Sequence, residues 1–139
     1  MAAEIKCRFE KALISGANEC VQARRVEIGE RLVCLCQSPA AAQRCERFLS
    51  MLRQNARFVF RQTRVGDSIL SNHQEICLQC GGLQGLAAIT GDKPAQGKWD
   101  VCKLLESIED EYRGFENISL DRIIPRIAAY DPRPHRKRK

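Results

Sequence analysis

Eight cysteines in 139 residues constrain this chain more than any other feature. Cys34-x-Cys36 and Cys77-x-x-Cys80 form local pairs, while Cys7, Cys20, Cys45 and Cys102 stand singly. A chain of this length buries about two thirds of its unfolded surface unaided, so disulfides are not needed to replace a missing core. In a reducing compartment the sulfurs are then thiols or metal ligands. Residues two apart on a strand share a face, and C-x-x-C lets two thiolates grip one centre from one turn. Two such pairs brought together by the fold supply four sulfurs, which suits tetrahedral zinc or an iron-sulfur cluster.

Three details favour the cluster. Cys45 follows Cys36 in a C-x8-C spacing with a helix start between them, where free N–H groups and partial positive charge favour an anionic thiolate-bound centre. Gly81, Gly82 and Gly85 after the C-x-x-C suggest a tight turn whose backbone amides reach sulfide unobstructed. There are also more thiols than one zinc needs. The favoured ligand set is Cys36, Cys45, Cys77 and Cys80, with Cys34 and Cys20 as replacements. Cys7 and Cys102 sit in apolar patterns and read as ordinary core thiols, because free cysteine is often buried as a small hydrophobe. His73, four residues before Cys77, can complete a zinc site, although a solvated loop histidine is the simpler reading.

Other chemistries lack their signatures. A thioredoxin-like dithiol belongs at a strand-to-helix turn, whereas glycines follow this C-x-x-C. No phosphate loop, G-x-S-x-G elbow or H-E-x-x-H pattern occurs. Glu106, Glu109, Asp110 and Glu111 read as a solvated helix face, not a catalytic pair.

The apolar pattern predicts an α+β fold: a small N-terminal β-hairpin or sheet with two to three helices around a cysteine-ligated centre. Ile5 to Ile14 and Cys20 to Cys36 read as strands separated by a break at residues 15–18, with further punctuation at residues 27–30. Ser38 and Pro39 open a helix as N-cap and first residue, with Ala41, Cys45, Phe48, Leu49 and Leu52 as its apolar stripe. Residues 56–65 fit either state. Ile76 to Leu86 reads as the turn described above, and residues 91–98 as a linker. Asp100 caps a second helix with Val101, Leu105, Ile108 and Tyr112 on one stripe, ended at Gly114. A short third helix from Ser119 must accommodate Pro125.

Residues 1–130 are expected to form a single cysteine-rich domain and residues 131–139 a disordered basic tail. The charge balance is 23 Lys plus Arg against 17 Asp plus Glu, and five of the basic residues fall between Arg133 and Lys139. The body is therefore nearly neutral and makes no electrostatic case for a nucleic-acid groove. The tail points instead to an acidic protein partner. No apolar run long enough to span a membrane and no signal peptide are evident, so the expected location is cytoplasmic. The functional expectation is a small non-enzymatic iron-sulfur protein, in electron transfer or accessory to a larger redox system. The alternatives are a zinc-stapled adaptor or nucleic-acid-binding module, and a globular scaffold whose thiols hold no metal.

Overall fold

A computed structural model describes residues 5–14, 18–57, 59, 71–90 and 99–131. It is a mixed α+β fold, with a three-stranded antiparallel sheet near the N-terminus packed against helices. The strand order is β1 (Ile5–Lys6), β4 (Arg31–Cys36), β3 (Ala23–Ile28). The hairpin joins β3 to β4 through Gly29 and Glu30, with Ile28 opposite Arg31. Gly29 takes φ 63°, a conformation that two-residue hairpin turns demand and that glycine adopts without strain.

The strand expected over Ile5 to Ile14 is corrected: β1 stops at Lys6 and Glu10–Ile14 is a helix, α1. Phe9, Ala12 and Leu13 explain it, since their i, i+3, i+4 spacing carries all three into the core. A hairpin lies at residues 29–30, while residues 15–17 of the expected break lie outside the described residues.

Helix α2 (Pro39–Asn55) begins where the sequence predicts, with the Ser38 hydroxyl accepting from the Ala41 N–H at 3.1 Å. Its whole predicted stripe is buried. Helix α4 (Val101–Tyr112) starts likewise from Asp100, whose carboxylate accepts from the Lys103 N–H. Between these helices Arg44 and Arg47 each reach Glu109 at 2.8 Å, while Phe48 packs on Phe9 and Phe115.

The Arg44 guanidinium hydrogen-bonded to Glu109 holds that carboxyl below its ordinary value of 4.5, with Arg47 adding to the effect. A carboxylate lowered by folding stabilises the native state above its unfolded pKa and loses that contribution as pH falls through the folded one. Glu109→Gln should therefore cost about 1 kcal/mol near neutrality and flatten the acid-side decline of stability below pH about 4.5, checked by urea unfolding at several pH values.

The largest correction concerns residues 76–86. They are not a turn but the middle of a 19-residue helix, α3 (Asn72–Thr90). Its glycines serve close packing. Helix α5 (Ile124–Ala129) lies on the face bearing Gly81 and Gly85, where added Cβ atoms would stand 2.6 Å from the Ile127 Cα and 2.8 Å from the Ile123 Cα. The short helix expected from Ser119, which Pro125 had to kink or split, is split into a short 3-10 turn, Leu120–Arg122, and α5, whose second residue is Pro125. Pro125 is tolerated because the first turn of a helix has N–H groups to spare.

A short parallel pair, β2 (Asn18–Glu19) with β5 (Trp99–Asp100), ties the segment before Cys20 to the start of α4. Among the described residues no helix is long and apolar enough to cross a membrane. Residues 60–70, the linker at 91–98 and the tail from residue 132 lie outside the described residues.

Candidate functional site

The buried face of the sheet carries sulfur. In β4, Cys34 and Cys36 share one face and are buried, while Val33 and Leu35 on the opposite face are half-buried. Beyond β1 the Cys7 N–H donates to the Cys34 carbonyl at 2.9 Å, continuing the register of Ile5 opposite Cys36 and Lys6 opposite Leu35. Cys7 therefore faces Cys34 directly and Cys36 diagonally. Two residues after Cys36 the chain turns into α2, and Ala41 and Ala42 of its first turn bury Cys36 together with Cys102, with Cys20 and Ile5 packed against them. Small side chains there let the two helix starts approach. The β2–β5 pair supplies the remaining link, placing Cys20 beside the first turn of α4.

The thiols also influence one another electrostatically. Burial pushes the Cys45 thiol up, and the charges of Cys7, Cys20, Cys36 and Cys102 push it further. Cys7 is raised from 9.0 to about 12, by burial first and then by Cys20, Cys34 and Cys36, against an opposing hydrogen bond from the Phe9 backbone. Cys20 is also raised by burial, while the backbone N–H groups of Gln22 and Cys102 hydrogen-bond its sulfur and oppose the shift. Cys102 is raised to about 11 by burial, Cys20, Glu106 and Asp100, with Arg44 opposing.

Cys45 thus stands within electrostatic reach of Cys7, Cys20, Cys36 and Cys102, which come from separate segments. Burial, the first cause of the rise at Cys7, Cys20, Cys45 and Cys102, favours the protonated form of these four thiols. The Phe9 backbone thus hydrogen-bonds the Cys7 sulfur, and the backbones of Gln22 and Cys102 hydrogen-bond that of Cys20. An open cleft of about 620 Å³, edged by Lys6, Arg8, Lys11 and Arg53, has Cys7 in its wall and gives this region a route to solvent.

Cys77 and Cys80 lie elsewhere. One turn apart on α3, they face the C-terminal end of α5. The Cys77 thiol donates to the Tyr130 carbonyl at 3.5 Å and stands 3.9 Å from Nδ1 of the exposed His73. The Tyr130 hydroxyl is raised by burial and by a side-chain hydrogen bond with Cys80. Cys77 is raised by burial, Cys80 and Asp131.

The set expected from sequence is therefore divided: Cys36 and Cys45 belong to the first group, Cys77 and Cys80 to the second. Cys20 joins the first. Cys34 borders it through Cys7, while its own N–H is held by the Glu10 carboxylate at 2.8 Å. Cys7 and Cys102, read as plain core thiols, are buried in the core and also lie within electrostatic reach of Cys20. For Cys102 a usable signal existed, since a helix capped by Asp100 puts it in the first turn, where N–H groups lack intrahelical partners.

Among the described residues, no group of three or more His, Cys, Asp or Glu side chains is arranged to hold a metal ion as it stands. Comparisons with protein-family models, curated proteins and solved structures find no match to the chain.

Proposed function

We propose that this protein is a small non-enzymatic metal protein that carries an iron-sulfur cluster on cysteine thiolates and serves in electron transfer or as an accessory to a larger redox system. The observation that carries this reading is the packing of Cys36, Cys102 and Cys20 around the starts of α2 and α4, with Cys45 within electrostatic reach of all three and of Cys7. Zinc bound at about 2.3 Å from each sulfur needs only four closely drawn thiols. Five thiols, with Cys45 within electrostatic reach of the other four and backbone amides directed at two of them, suit a wider polynuclear core better. Such a core, when bound, takes up and releases single electrons. The chain's own groups bind it, neutralise its charge through N–H donors and shield it from water.

The basic residues between Arg133 and Lys139 are proposed to dock an acidic protein partner, with an association that weakens as salt rises. Protein purified without oxygen should be brown, absorb in the visible and contain iron and acid-labile sulfide in comparable amounts. Colourless protein with stoichiometric zinc would replace this reading with a zinc-stapled adaptor. Protein that takes up neither zinc nor iron with sulfide would be a scaffold with free thiols.

A further inference from the structure

We propose that the chain forms a symmetric homodimer by antiparallel pairing of β3 with β3 of a second copy, in the register that sets Arg25 opposite Glu27. The edge of the sheet carries charges that complement their own two-fold image.

Among the described strands β3 is bonded to β4 alone, so its other side is an edge. It runs for six residues, Ala23–Ile28, without proline. The two-residue turn at Gly29 and Glu30 makes Ile28 and Arg31 a hydrogen-bonded pair. At the other end of the ladder the Gln37 N–H donates to the Gln22 carbonyl at 2.9 Å. The even-numbered residues of β3 therefore bond β4, while Arg25 and Glu27 direct their backbone N–H and C=O groups toward the edge. Such an edge is a template for another strand.

The side chains select that strand. Arg25 and Glu27 are exposed and lie on one face of β3. The Arg25 guanidinium is anchored there, its Nη2 donating to the Leu13 carbonyl at 3.1 Å, which leaves its other N–H groups for a carboxylate. A two-fold axis at Val26 sets Arg25 of each copy against Glu27 of the other, and the same residues exchange backbone hydrogen bonds. Sliding to the next bonded register on either side would oppose Arg25 to Arg25 or Glu27 to Glu27, which repels. On the opposite face Val26 meets Val26, and Ile28, 60% exposed in the single chain, lies along the aliphatic stem of Arg24. Val33 and Leu35 of β4 share that face, so the apolar strip of one sheet continues into the next. The far edge is β1, only Ile5–Lys6, too short to recruit a further copy. The assembly therefore closes at two chains.

The test is size-exclusion chromatography with light scattering in reducing buffer, so that intermolecular disulfides do not contribute, over a range of concentrations up to several hundred micromolar. The wild-type chain should approach twice the monomer mass as concentration rises. Arg25→Glu and Glu27→Arg, which bring like charges together, should each weaken self-association at least tenfold. Mixing the two variants should restore it, because each then meets its opposite, and the Arg25→Glu/Glu27→Arg double variant should dimerise by itself. Far-UV circular dichroism checks that each variant folds, and Glu27→Arg changes an exposed side chain that the single chain does not need.

A wild-type chain that stays monomeric at the highest concentration overturns the proposal and leaves the edge to a strand of another protein. Dimers that survive both single charge reversals, or variants that fail to associate when mixed, overturn the β3 register.

Discussion

Gly81→Ala and Gly85→Ala should each destabilise the protein by roughly 3 kcal/mol or more, at the upper end of what overpacking costs, because the obstruction is backbone. Helix propensity alone predicts the opposite sign, since alanine is favoured over glycine in a helix interior by about 1 kcal/mol. The added methyl at Gly81 would sit 2.6 Å from the Ile127 Cα and 2.8 Å from the Arg126 carbonyl oxygen, and the one at Gly85 2.8 Å from the Ile123 Cα. Neither can be relieved by a rotamer change, so α5 must lift from α3, exposing the buried Ile123 and Ile127. Gly82→Ala should cost less, because it meets only the Leu52 side-chain terminus. Urea unfolding followed by far-UV circular dichroism orders the three variants. A stabilised Gly81→Ala protein would mean that α3 and α5 do not approach in this way.

Stripping the centre from anaerobically prepared protein with a chelator should lower the midpoint of thermal unfolding by about 10 °C or more. At this chain length each 1 kcal/mol shifts the midpoint by roughly 3 °C, and thiolate-bound metal contributes several kcal/mol to folding. The proposed centre would tie together β4, α2 and the start of α4. Without the centre they retain the sheet hydrogen bonds and the Phe9–Phe48–Phe115 packing, so most helical signal should survive at room temperature. An unchanged midpoint after verified removal of the metal would show that the cysteines do not staple the fold.

The parts of this structure that sequence reading captured are those decided within a few residues. Ser38 and Asp100 cap α2 and α4 because a short polar side chain before an apolar stripe satisfies N–H groups locally, wherever the helix later packs. The α2 stripe is legible for the same reason, since one face is buried and the other is not. Helix α3 was not legible, because leucines, cysteines and glycines bury it nearly all round and leave no amphipathic period. In α1, the helical spacing of Phe9, Ala12 and Leu13 was present but competed with a strand-like run of apolar residues.

The sequence by itself determined the α+β class, the two capped helices and an excess of thiols over structural need. Tertiary structure alone decided which thiols meet. Cys7 reaches Cys36 through the β1–β4 register, and Cys20 reaches Cys102 through the β2–β5 pair, contacts between segments far apart in the chain that no local spacing encodes. The C-x-x-C pair shows the converse. Its spacing brings Cys77 and Cys80 onto one helical face, but the close glycine packing of α3 on α5 turns that face toward Tyr130 and away from the other sulfurs.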